Sequence, residues 1–243
     1  MSGKSQFKLI TSLAQKKYRA RHQLFVAEGR KTINELLNSS FELLSLYTTE
    51  PVFEAEEEKT IFLTEKELKK ISRLHTPQTA LAVFHIPQDE VPEISGLVLA
   101  LDGVRDPGNL GTIIRLCDWF GINQLVCSED CVDCYNPKVV QATMGSIARV
   151  RINYLYLASF LEKNRSKTAV FGAFMEGENV YQQELNSQAI LVMGNEANGI
   201  RPEIEALAQK KIKIPQFGET LKTESLNVAS ATAVLLSEFR RRG

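Results

Sequence analysis

Apolar residues along the chain fall into two patterns, spaced stripes of helical period and short continuous runs. The first ninety residues mix the two. Residues 4–24 read as a basic helical region anchored by Ile10, Leu13, Ala14 and Leu24, and Leu24-Phe-Val-Ala-Glu-Gly29 as a strand entering a glycine turn. Ile33, Leu36 and Leu37 mark a short helix over 31–38, and strands are expected at 43–48, 61–63 and 80–85. Thr64-Glu-Lys-Glu67 has the spacing of a capping box and predicts a helix running through Ile71. Beyond residue 95 the pattern becomes regular. Apolar runs at 97–101, 124–127, 150–152, 168–174, 189–193 and 211–214 alternate with helical patterns at 110–120, 137–143, 158–164 and 202–209. The last helix carries Val228, Ala231, Val234, Leu235 and Phe239 as one stripe. This alternation predicts an α/β domain with a parallel sheet and helices on both faces. Pro87-Gln-Asp-Glu-Val-Pro92 reads as a linker, so the expected division is 1–88, a linker at 89–95, and 96–243.

Composition changes this picture little. The chain has 243 residues, 44% hydrophobic and 24% charged, with zero formal net charge, as in ordinary globular domains. Charge is unevenly distributed, however. Residues 1–31 hold eight basic side chains and one acidic, and residues 50–58 hold five glutamates and no base. A basic N-terminal face suits a phosphate backbone, with Lys17, Arg19, Arg21, Arg30 and Lys31 as the expected contacts, although a solvated surface has the same charge pattern. No signal-like apolar segment or membrane-length run is visible, which points to a cytoplasmic protein with reduced cysteines.

Ligands of open parallel sheets bind at the carboxyl ends of the strands, and three loops there are rich in special residues. In Asp102-Gly-Val-Arg-Asp-Pro-Gly-Asn-Leu-Gly-Thr-Ile-Ile-Arg115, Asn109 is placed to cap the following helix, and Arg115 sits among apolar neighbours. Met193-Gly-Asn-Glu-Ala-Asn-Gly-Ile200 brings a lone carboxylate, Glu196, to a strand end. Ile214-Pro-Gln-Phe-Gly218, followed by Glu224-Ser-Leu-Asn-Val228, places Ser225 and Asn227 at a helix start, where such residues act as caps by default.

Together the three loops resemble the motifs of the SpoU (TrmH-like) RNA ribose 2′-O-methyltransferases of the SPOUT superfamily. Asp133-Cys-Tyr-Asn-Pro-Lys138 and Ala142-Thr-Met-Gly145 are similar to the segment between the family's first two motifs. The separation of Gly218 and Ser225 is longer than the family pattern. Lys17-Tyr-Arg-Ala-Arg21, Phe25-Val-Ala-Glu-Gly29 and Thr76-Pro-Gln-Thr-Ala-Leu-Ala-Val83 are similar to a substrate-binding domain that resembles ribosomal protein L30e.

The resemblance implies a deep trefoil knot in the C-terminal α/β domain, S-adenosyl-L-methionine as cofactor, and a homodimer whose site is completed across the interface. It implies an RNA substrate, with ribosomal RNA favoured over tRNA. The implied catalytic residues are Asn109, Arg115, Glu196, Ser225 and Asn227, and the implied cofactor positions are Met193, Gly194, Asn195, Ile214 and Leu226. Arg115 then acts by holding a phosphate and stabilising alkoxide charge, because a guanidinium is a donor and not a base. Two other readings remain: a non-catalytic RNA-binding or ribosome-assembly protein, and a base methyltransferase on the related fold. Cys127, Cys131 and Cys134 have the spacing of iron–sulfur ligands in radical enzymes, but their context is that of an ordinary connector, and no metal is expected. Trp119 is expected to be buried or to face a dimer partner.

Overall fold

The computed structural model describes residues 3–88, 94–218 and 225–241. The chain forms two compact units. One comprises Met1–Asp89 together with Asp133–Arg149, and the other Glu90–Val132 together with Val150–Gly243. The expected linker falls largely outside the described residues.

The first unit is built on a four-stranded mixed sheet formed by β1 (Leu24–Glu28), β2 (Leu43–Thr48), β3 (Thr60–Phe62) and β4 (Ala80–His85), in the order β1-β4-β2-β3. The helices of its first eighty-odd residues are α1 (Gly3–Ser12), α2 (Lys16–His22), α3 (Arg30–Leu37) and α4 (Glu65–Ile71). The single helical region expected at 4–24 is two helices, with Leu13 buried at the break and Leu24 already in β1. The Thr64 capping box forms in both directions. Val26, Leu24 and Val83 pack with Ile10, Leu13, Leu68 and Ile71 on one side of the sheet. All of β1 is buried, so its alternate side chains need cover too.

Part of that cover comes from far along the chain. Segment 133–149, expected to belong with the C-terminal domain, packs in this unit. It contains α5 (Pro137–Thr143), and the Tyr135 ring lies 4.7 Å from that of Phe25. Gly145 has φ of 96° and lies against Glu35, whose side chain would be 2.6 Å from any Cβ there. Glu35 also pairs with Arg149. The placement of Arg19 corrects the sequence reading. Its side chain is only 2% exposed, donates to the carbonyls of Leu13 and Ala14, and pairs with Asp133 at 2.5 Å. Arg19 therefore holds segment 133–149 in place and is not available to RNA. Lys17, Arg21, Arg30 and Lys31 are exposed.

The second unit holds a six-stranded sheet in which every pairing is parallel. Its strands are β5 (Leu97–Leu101), β6 (Gln124–Ser128), β7 (Arg151–Leu155), β8 (Ala169–Asn179), β9 (Ala189–Met193) and β10 (Lys210–Lys213), in the order β10-β8-β9-β5-β6-β7. Helix α6 (Pro107–Trp119) packs with α9 (Val228–Arg241), and α7 (Leu157–Asn164) with α8 (Pro202–Glu205). Val98, Ala100, Val126, Ile190 and Val192 bury against Leu157, Phe160, Leu161 and Ile204. Phe171 meets Phe239 of α9 edge-on at 5.2 Å. Strand β8 is longer than the expected 168–174. Its pairing with β10 jumps from Gly172 to Glu178, and residues 173–177 pass over the interruption.

Candidate active site

The chain enters its parallel sheet at β5, in the middle, and β6 and β9 lie on either side. Their carboxyl ends form a switch point, where such sheets open a crevice. A buried carboxylate organises it. Asp102, directly after β5, has a side chain that is 0% exposed. It accepts from the backbone N–H of Arg201 (2.7 Å), from Arg201 Nε (2.7 Å) and from Nη2 (2.5 Å). The loop between β9 and α8 is thereby tied to the end of β5. Nearby, Gly103 N–H donates to Ser128 Oγ (2.8 Å), which donates to Asp130 (2.7 Å). That hydroxyl, followed by Arg105, holds the Asp130 carboxyl below its ordinary pKa.

The loop after β9 closes on itself. Asn195 and Gly199 exchange backbone hydrogen bonds of 2.9 and 3.0 Å. The Asn195 side chain accepts from Ala197 N–H and Asn198 N–H and donates to the Gly103 carbonyl at 2.6 Å. Gly194 is required by this closure, because a Cβ there would stand 2.3 Å from the Gly199 carbonyl carbon. The turn spans 196–198, with Gly199 (φ 69°) at its closing position opposite Asn195, instead of a two-residue Asn198-Gly199 turn, and the chain continues into a helix.

A string of three side chains joins the three loops. Asn227 Nδ2 donates to Asn109 Oδ1 (2.9 Å), and Asn109 Nδ2 donates to Glu196 Oε1 (2.9 Å). Asn227 also caps α9, accepting from Ala229 N–H (2.9 Å) and Ser230 N–H (3.3 Å). One amide therefore caps with its oxygen and ties the site together with its nitrogen. Asn109 is not a cap. Asp106 caps α6, accepting from Asn109 N–H at 2.8 Å, and Pro107 occupies the first turn. This frees the Asn109 side chain for the string.

Beside the string lies a cavity of about 1110 Å³. Met193, Gly194, Asn195, Ile214 and Leu226 all line it, as do Glu196, Ser225 and Asn227. Ile212 and Leu235 supply an apolar floor, and Phe174 and Met175 from the β8 excursion supply a wall. Asn109 reaches the cavity through Glu196. Arg115 does not line it. Arg115 is exposed on α6, and its side chain makes no hydrogen bond or ion pair among the described residues. Trp119, on the same helix, is 84% exposed rather than buried.

Asp102, Arg201 and the positioning role of Asn195 were not evident from sequence. The available signal was an acidic residue and a glycine directly after a buried strand. All four cysteines are buried and unbridged. Burial pushes the Cys117 thiol up, while hydrogen bonding, first with Cys127, brings Cys131 down to about 7. Among the described residues no group of three or more His, Cys, Asp or Glu side chains is placed to hold a metal, and no helix is long and apolar enough to cross a membrane.

Fold and site together define a parallel α/β ligand-binding unit, with three loops tied around one cavity, in a chain that also carries a smaller mixed-sheet unit. Residues 96–237 match the model of the SpoU rRNA Methylase family, and the chain belongs to that family. Residues 4–82 match the MRM3-like substrate binding domain. The chain is 28% identical to the 23S rRNA (guanosine(2553)-2'-O)-methyltransferase RlmP of Bacillus subtilis, over 93% of this chain and 92% of that one. A structure described as a candidate RNA methyltransferase of the TrmH family from Porphyromonas gingivalis superposes with a TM-score of 0.92 and 42% identity, covering both chains fully. An AdoMet-bound rRNA methyltransferase from Sinorhizobium meliloti superposes with a TM-score of 0.86 and 30% identity, over 97% of this chain and 94% of that one.

Proposed function

We propose that the protein transfers a methyl group from S-adenosyl-L-methionine to a ribose 2′-hydroxyl of ribosomal RNA, acting in the cytoplasm as a homodimer. The observation that carries this reading is the Asn227–Asn109–Glu196 string, which ties all three family loops around one cavity. Family membership and the named relatives support the same activity.

The residues present fit the cofactor. Ile212, Met193 and Leu235 offer an apolar slot for a nucleoside, and Glu196 offers a carboxylate to a cationic ligand. Gly194, which lets the loop close against Gly199, and Asn195 bring main chain to the cavity wall. Bound S-adenosyl-L-methionine supplies an activated methyl on a sulfonium centre. The protein must align an attacking oxygen and help it lose a proton. Arg115, a cation without a partner among the described residues, holds a phosphate and stabilises the developing alkoxide. Glu196 and Asn227, positioned through Asn109, orient the ribose, and Ser225 faces the same cavity. Because Arg115 does not line the cavity of its own chain, the reading requires a second copy to complete the site. The exposed Trp119, on the same helix, suits that interface. The trefoil knot around α9 and the likeness of the first unit to ribosomal protein L30e belong to the same reading.

The test is transfer of labelled methyl to ribosomal RNA and tRNA from a strain lacking the gene, with digestion to locate the label. Label on ribose in ribosomal RNA is expected, and Arg115→Ala should abolish it while leaving cofactor binding intact. Label on a base would move the protein to base methylation. If no label is transferred and calorimetry shows no cofactor binding, the protein is a non-catalytic RNA-binding member.

A further inference from the structure

A second cavity lies wholly in the first unit, with a volume of about 260 Å³. Val26, Leu74, Pro137 and Ala142 form its apolar walls, while Lys138 and Gln141 stand among its polar groups. Glu28 also lines it, although this carboxylate is only 6% exposed. Ser72 Oγ donates to Glu28 Oε2 (2.5 Å) and Arg73 N–H donates to Oε1 (2.8 Å). A carboxylate has roughly four acceptor positions, so each oxygen retains capacity. No cation pairs with Glu28 among the described residues. The Arg73 guanidinium is directed elsewhere, donating to the Thr11 carbonyl at 2.7 Å. Burying a carboxylate without a counter-charge is costly unless hydrogen bonds compensate it, and here the carboxylate lines a cavity. Lys138 at the same cavity is exposed, and its ammonium makes no bond among the described residues.

A ligand that suits these groups is flat and apolar on its faces, presents two adjacent N–H donors, and carries a negative group for Lys138. The volume is below the roughly 300–1,000 Å³ of cofactor-sized pockets, which suits a single base. Among the RNA bases, guanine offers adjacent donors at N1 and N2. Adenine and cytosine set a ring acceptor beside the amino group, and uracil flanks its N–H with carbonyls, which a carboxylate repels. Unpaired bases are what proteins read in RNA by stacking and edge contacts. We propose that this cavity is a guanine subsite for an unpaired nucleotide of the RNA substrate, with Glu28 reading the N1–H and N2–H edge and Lys138 holding the phosphate. The proposal rests on the RNA-modifying reading above, and it assigns segment 133–149, which supplies Pro137, Lys138, Gln141 and Ala142, a part in substrate choice.

The probes are guanosine, inosine and uridine 5′-monophosphates, added to the ¹⁵N-labelled full chain. Guanosine monophosphate should shift the amides of Glu28, Arg73, Leu74 and Lys138. Inosine monophosphate, lacking the N2 amino group, should bind more weakly, and uridine monophosphate should leave these amides unmoved. Ala142→Phe fills the cavity without touching the Glu28 hydrogen bonds, and Glu28→Gln removes the charge. Both should abolish the shifts and raise KM for ribosomal RNA about tenfold or more, the scale of one lost bidentate base contact, with kcat and cofactor affinity unchanged. An equal response to guanosine and uridine monophosphates, or an unchanged KM in Ala142→Phe, overturns the subsite while wild-type methylation leaves the proposed function standing. Absence of methylation by the wild type, with the guanosine-specific shifts present, overturns the function and keeps the guanine subsite.

Discussion

Arg201→Met removes the guanidinium from a buried carboxylate and leaves the charge of Asp102 behind. Asp102 is fully buried, while Arg201 is 43% exposed. Removing one partner of a buried pair costs about 3–5 kcal/mol. The backbone N–H of residue 201 still donates to Asp102 in the variant, and water reaches the outer half of the guanidinium, so the cost should fall near the lower end, about 3 kcal/mol. Asp102→Asn removes the charge and weakens the charge-assisted bonds, but it leaves nothing ionised in the interior. Its cost should be smaller, about 2 kcal/mol. The double variant should be less destabilised than the sum of the two, by at least about 1 kcal/mol of coupling. Urea unfolding should be followed by far-ultraviolet circular dichroism, because Trp119, the single tryptophan, is already exposed in the folded chain. Amide exchange at 194–204 should accelerate in both single variants, and cofactor affinity should fall, since that loop lines the cavity. If Arg201→Met costs less than Asp102→Asn, the carboxylate is not paying a burial cost and the argument fails.

Gly194→Ala should lower cofactor affinity at least about tenfold and lower the melting temperature, because the new Cβ meets the Gly199 backbone; calorimetry with the intact chain checks it. Asn227→Ala should lose the α9 cap, about 1 kcal/mol, together with methyl transfer, whereas Asn227→Asp keeps the capping oxygen and loses only the donor to Asn109, so stability and turnover separate in thermal melts and rate assays. Arg19→Met should destabilise the first unit by about 3–5 kcal/mol without changing RNA affinity, whereas Lys17→Glu with Arg21→Glu should weaken binding and flatten its salt dependence, as filter binding would show. Asp130 has a lowered pKa when folded, so it stabilises the fold above the unfolded carboxylate range. That contribution is lost as pH falls through the lowered pKa, and Asp130→Asn should make the unfolding midpoint less steep below about pH 4.

Much of the site can be read along the chain because its loops are local devices. A buried strand, a glycine and a polar cluster at its end announce themselves within ten residues, as at Gly194 to Gly199. What joins the loops is not local. Asn109 meets Glu196 and Asn227, and Asp102 meets Arg201, across distances that no periodicity encodes. The same limit explains the misplacement of Arg19. Its neighbours Lys17 and Arg21 are exposed, and the charge pattern treats all three alike. What distinguishes it is burial with the Leu13 and Ala14 carbonyls and with Asp133, and the carboxylate lies 114 positions away. Asp106, not Asn109, caps α6 because Pro107 fits the first turn, a local signal present in the sequence.

Segment 133–149 also bears on how the chain can be divided. A protein cut at residue 88 would appear, from its sequence, to yield a substrate-binding module and an enzyme. The first fragment would lack Asp133, leaving the Arg19 guanidinium enclosed with two backbone carbonyls and no carboxylate, and it would lack Tyr135 over Phe25. The second fragment would carry seventeen residues stripped of their packing partners. The two units are thus one inheritance: neither can be exchanged with a relative's by a single crossover without leaving a charge or an apolar face exposed, and a productive exchange must move residues 133–149 along with the first unit.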